Sequence, residues 1–113
     1  MGIIRNRVTL VHHYNLDEIT KLREDAIKTF ETGLDLKYPI VSSIMTSHYN
    51  EEYTFMINGD CSKNGWTPSD EFIEIRKKWC EKHKNNGAVI VVVNLGNDYP
   101  ASIDFDSTKE LGE

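Results

Sequence analysis

The chain holds little that could staple it or break it. Two cysteines, Cys61 and Cys80, and three prolines stand among 113 residues. The cysteines show no repeated C-x-x-C spacing, so neither a disulfide framework nor a zinc ribbon is encoded. No apolar run approaches the ~20 residues of a membrane span. The opening Met1-Gly2-Ile3-Ile4-Arg5 lacks the apolar core of a secretory leader. The expectation is a cytoplasmic protein with reduced thiols and no cofactor. Basic excess is missing too: 13 Lys and Arg against 18 Asp and Glu give a net charge of −5 and a pI near 5.3. Such a field repels phosphate backbones and argues against a nucleic-acid partner. The patterns H-x-E, HExxH and G-x-x-x-x-G-K-[ST] do not occur, which removes the usual signatures of zinc hydrolysis and P-loop nucleotide binding.

What is present is an ordinary globular composition, 39% hydrophobic and 27% charged, of a length that suits one domain with one modest core. The most informative stretch runs from Gly59 to Leu95. Thr67 precedes Pro68 at the expected first helical position, with Asp70 three residues on; this predicts an N-cap at Thr67. Phe72, Ile75 and Trp79 then recur at helical spacing, with His83 after them. This makes Trp79 a core anchor between helix and sheet and turns Arg76 and Lys77 outward. Asn85-Asn86-Gly87 ends the helix, and Ala88 to Val93 reads as a strand buried on both faces.

Upstream, Arg7 to Tyr14 alternates as a strand, with Val8, Leu10, His12 and Tyr14 on one face and Thr9, Val11 and His13 on the other. Asn15 caps a helix carrying Leu16, Ile19, Leu22, Ala26, Ile27 and Phe30, with Gly33 as its stop. Ile40 to His48 is a second strand after Pro39, and Tyr49-Asn50-Glu51-Glu52 turns the chain into Tyr53, Phe55 and Ile57. A last strand covers Ala101 to Phe105. The prediction is thus a single α+β domain over 1–105 with a polar, fraying tail over 106–113. The order β-α-β-β-α-β-β, closed by right-handed crossovers, gives a ferredoxin-like split β-α-β sheet, antiparallel or mixed, with two helices on one face.

That topology gathers chemistry-bearing residues at one sheet edge: His12, His13, His48, Glu51, Glu52 and His83. Imidazoles and carboxylates there suit a transition metal or an acid-base pair, and His13, His48, Glu51 and His83 form the candidate metal set. Against it, adjacent His12 and His13 point to opposite faces, and strand ends two strands apart lie ~10 Å from each other. At the opposite edge, Lys63, Asn64, Gly65 and Thr67 lead into a helix N-terminus and form a candidate anion site. Pro68 removes one donor there, and Asp60 and Asp70 add negative charge. Cys61 lies nearby without a histidine to act as its base, and reads as an ordinary loop thiol. Arg76, Lys77, Lys78, Lys82 and Lys84 form a basic stripe interrupted by Glu74 and Glu81, which suits a solvated helix face better than a strand-binding one.

The largest anomaly is apolar. In a two-layer fold the helices cover one sheet face, yet the Val-rich strand is apolar on both sides, with Val11, Met45 and Met56 adding to one side or the other. Val89, Val91, Val92 and Val93 are therefore candidate interface residues. The leading expectation is a small acidic protein that acts by binding another protein or a second copy of itself, of the inhibitor, immunity or phage-encoded modulator type. The frequent Ile, Asn and Lys also suit an AT-rich genome. A metal-dependent hydrolase using the histidine edge, and a dimeric module sensing a small anion or nucleotide, are the alternatives.

Overall fold

A computed structural model describes residues 6–32, 38–59, 61, 67–96 and 100–109. The chain is α+β. Strand β1 (Asn6–His13) leads into helix α1 (Leu16–Ala26), which continues as a π-helical turn over Ile27–Thr32. Then come β2 (Met45–Thr46), β3 (Tyr53–Ile57), helix α2 (Thr67–His83), β4 (Val89–Leu95) and β5 (Ser102–Asp106). The five strands form one sheet in the order β2-β3-β1-β4-β5. Each neighbouring pair is antiparallel.

Local signals explain most boundaries. Asn15 sits in an extended conformation and accepts the Glu18 amide at 3.0 Å, starting α1 where the capping pair requires. Gly87 takes φ of 79° after α2, a left-handed turn that favours glycine. Asn50 and Glu51 both hold positive φ, 67° and 45°, as a tight turn between antiparallel strands demands.

Three boundaries differ from expectation. Helix α2 already includes Thr67, the expected cap, and residues 62–66 before it lie outside the described residues. Gly33, the expected stop of α1, also lies outside them. The second strand shrinks to Met45–Thr46 because segment 40–44 follows β3 irregularly. There the Ser42 hydroxyl takes the Met56 amide at 2.8 Å, and the Glu31 carboxylate takes the amides of Ile40 and Val41 at 2.9 and 2.7 Å. Serine and glutamate side chains thus replace ladder partners that a regular strand would use. Finally, Asp106 closes β5 and Ser107 is buried, its amide donating to the Ile90 carbonyl at 2.9 Å. The chain is therefore held past the point where a fraying tail was expected.

One cluster of buried side chains forms the core: Ile19, Leu22, Ala26 and Phe30 from the first helical segment, Phe72, Trp79 and Cys80 from α2, and Val11, Phe55, Ile57, Ile90 and Val92 from the sheet. Leu16, placed on that face by its spacing, is exposed instead. No helix among the described residues is long and apolar enough to cross a membrane.

Candidate functional site

The register divides every strand into an inward and an outward row. Inward are Thr9 and Val11 on β1, Phe55 and Ile57 on β3, and Ile90 and Val92 on β4, all at 2% exposure or less. Outward, Leu10 pairs with both Met56 and Val91, and Val8 with Val93. Met45, opposite Thr54, and Ile103, opposite Val93, extend the same row to both edges. This outward face is exposed at Leu10 (39%), Met56 (37%), Val89, Leu95 and Ile103 (56%), and half-buried at Val91 and Val93.

The expected interface set therefore splits. Val89, Val91 and Val93 lie on the open face, whereas Val92 is a core residue at 2% exposure, because strand periodicity turns every second valine inward. Polar groups stand at both ends of the open face: at one, His12 Nε2 donates to the Glu52 carboxylate at 2.5 Å and His12 Nδ1 meets the Thr54 hydroxyl at 2.7 Å, and at the other the Asn6 side-chain amide donates to Asn58 Oδ1 at 3.1 Å. Between these ends the described outward residues of β3, β1 and β4 are apolar, and Asp106 on β5 brings a carboxylate opposite Val91.

The histidines of the proposed metal edge have other partners. The Asn15 amide donates to His13 Nδ1 at 3.0 Å, which leaves His13 Nε2 as the N–H that donates to the Asn86 carbonyl at 3.2 Å. The Asn86 side chain in turn donates to His83 Nδ1 at 3.0 Å, and His83 Nε2 donates to Asp25 at 2.7 Å. Asp25 also accepts the Trp79 indole N–H at 2.9 Å and lies 3.5 Å from Lys82 Nζ. Burial pushes the Asp25 carboxyl up, but the His83 bond, the charges of Lys82 and His83 and the Trp79 N–H outweigh it and hold the group below its ordinary value.

Both nitrogens of His13 and of His83 are thus spent on structure. His48 and Glu51 are exposed, His48 against the Tyr49 ring at 4.5 Å. The set His13, His48, Glu51 and His83 does not converge, and no three His, Cys, Asp or Glu side chains among the described residues are arranged to hold a metal ion. A lone pair already occupied by a hydrogen bond cannot also bind a metal.

Of the anion-loop residues, Lys63, Asn64 and Gly65 lie outside the described residues, and Thr67 is exposed in the first turn of α2. Cys61 is exposed, whereas burial pushes the Cys80 thiol up to about 12. The basic stripe also divides. Arg76 is buried at 4% rather than turned outward, Lys82 faces Asp25, and Lys84 pairs with Glu81 at 2.9 Å.

No family model, curated protein or solved structure matches the chain.

Three residues escaped the reading of the sequence. Asp25 joins the polar seam between α1 and α2, and Arg7 and Asp104 bridge β1 and β5 at 2.8 Å. The one available signal for Asp25 was Trp79 and His83 at i, i+4, two side chains whose polar tips must find a buried acceptor.

Proposed function

We propose that the protein works as a self-associating interaction domain, with the outward sheet face docked on the same face of a second copy. The single observation that carries this is the apolar row Leu10, Met56, Val89, Val91, Val93, Leu95 and Ile103, exposed or half-buried, with Asp106 at its β5 edge. Isolated exposed apolar side chains are common, but a contiguous apolar sheet face is not.

A second copy suits this face better than an unrelated partner for two reasons. Interfaces between identical chains are more apolar than transient heterologous ones, and an apolar centre along β3, β1 and β4 lets the face meet its own image with the Asp106 carboxylate kept to the β5 edge, although each chain carries −5. The size is also adequate. Strands ~4.8 Å apart and ~3.4 Å per residue give about 500 Å² of sheet per copy, or roughly 1,000 Å² for a pair, at the threshold of specific association. Two twisted sheets packed in this way would cross at about 30°.

The ferredoxin-like split β-α-β arrangement, with both helices on the inward face, belongs to this proposal. It is supported by the succession β2-β3-β1-β4 and by a single core cluster that draws on both helices and on the inward strand positions. Covering one face with helices leaves the other to be covered by association.

Light scattering on the native chain and on Val91→Lys tests the reading. A native mass of twice 13.0 kDa, with a folded Val91→Lys variant at the single-chain mass, is the expected result. A native single-chain mass at millimolar concentration would overturn it.

A further inference from the structure

We infer that the cavity between α2 and the β4–β5 edge is a binding site for a small organic anion: an oxyanion headgroup on a flat apolar body. The cavity measures about 540 Å³, within the range of pockets that enclose small molecules. It opens on the inward side of the sheet and shares no residue with the outward face, so it does not depend on self-association.

Its apolar wall is formed by Ile73, Cys80, Val92 and Phe105. With its thiol pushed up to about 12 by burial, Cys80 presents a neutral sulfur to this wall. The polar rim is more telling. Arg7, Arg76 and Lys77 line it against Glu81 and Asp104, three cations to two carboxylates on a chain that is otherwise acidic.

The β-bulge between Val92 and Val93 shapes the site. By inserting one residue into β5, it lets Phe105 pair opposite Val92 while Asp104 also reaches the inward side. Asp104 takes only the Nε–H of Arg7, at 2.8 Å. The two Nη groups of Arg7 have no partner among the described residues, which leaves the paired donors that grip a carboxylate or phosphate. Arg76, which has a partner of its own, brings a further guanidinium to the wall at 4% exposure, where charge acts through a lower dielectric than at the surface. An apolar slot with cations at its mouth selects ligands that carry both features, whereas either alone satisfies half of the site.

Amide-resolved NMR titration of the native protein with four probes tests this: 1-naphthyl phosphate, 1-naphthoate, 2-naphthol and inorganic phosphate. The expected result is saturable shifts at 73–81 and 102–106 with at least one naphthyl acid, the tighter of the two naming the headgroup. Inorganic phosphate and 2-naphthol should each bind about tenfold more weakly or worse. Lys77→Glu, an exposed substitution expected to leave the melting temperature unchanged, should weaken the acid about tenfold. The inference is overturned if neither acid saturates by about 10 mM, if 2-naphthol binds as tightly as the acids, if the shifts fall on the outward row around Leu10 and Val91, or if Lys77→Glu binds like the native chain.

Discussion

Val91 and Val92 are the same residue type, adjacent on one strand, and they live in opposite environments. Val92 stands on the inward row with Ile90, closed over by α2 and the core cluster. Val91 stands on the outward row beside Leu10 and is only half-buried. The two faces differ in their polar groups as well. On the inward side histidine, tryptophan, asparagine and aspartate are joined in a connected network, Asn15–His13–Asn86–His83–Asp25–Trp79. On the outward side the centres of β1 and β4 are apolar, with the Asn6–Asn58 pair at one end and the His12–Thr54–Glu52 group at the other. The inward network ties its histidines to named partners, although Thr9 Oγ1 on the same side is buried without one among the described residues, whereas the outward centre of β1 and β4 is apolar and open.

The largest effect should come from placing a charge on each side of that strand. Ile90→Lys, on the inward row beside Val92 but away from the cavity, buries an unpaired ammonium in the core and is expected to remove more than about 5 kcal/mol, the whole stability of many small domains. Val91→Lys should keep the cooperative melt in circular dichroism. Equal loss of structure in both would erase the distinction between the faces.

Trp79→Ala comes next, at about 3 to 5 kcal/mol in a denaturant titration. This indole packs against the first helical segment, with its ring 6.0 Å from Phe30 and its N–H on Asp25, within the core cluster that also holds Val11, Phe55 and Ile90 of the sheet. Trp79→Phe keeps the ring and loses the N–H, so it should cost only about 1 to 2 kcal/mol. A large loss from the Phe variant would make the polar bond, and not the packing, the anchor.

Asp25→Asn should follow at about 1 to 2 kcal/mol near neutral pH, because the amide cannot accept from Trp79 and His83 as the carboxylate does. Its pH signature is more specific. The folded carboxyl titrates below its ordinary value of 3.8, so the ionised group stabilises the fold above that value, and its contribution disappears as pH falls through the lower folded one. Urea titrations between pH 5 and about 2 should show a steeper acid loss in the native chain than in Asp25→Asn. Parallel curves would remove Asp25 as the organiser of the seam.

The smallest change is Glu51→Gly, at a residue held at φ 45°. Relief of left-handed strain should stabilise the hairpin by up to about 1 kcal/mol, read as a higher melting temperature. A destabilised hairpin would mean that the Glu51 side chain contributes more than its backbone strain costs.

Alternation made the two rows of β1 and β3 legible in the sequence, since Thr9, Val11 and His13 turn inward where period two places them. The Val-rich strand revealed a second apolar face, but an all-valine run carries no mark of which valine turns in; only its register against Leu10 and Val11 decides. Arg76 was illegible for a different reason. Helical spacing assigns a face, whereas burial depends on the neighbouring element, and the bulge in β5 that opens the cavity beside Arg76 has no local signature. The histidines misled because proximity at one edge was readable while their ties to Asn15, Asn86 and Asp25 were not.

Coverage of the outward face by its own image can be observed directly. In a sample mixed from methyl-labelled and unlabelled chains, filtered NMR should detect intermolecular contacts from the methyls of Leu10, Val89, Val91 and Val93 to the same row of the second copy. Contacts confined to the edge strand Ser102–Asp106, or no intermolecular contacts in a sample shown to be monomeric, would contradict it.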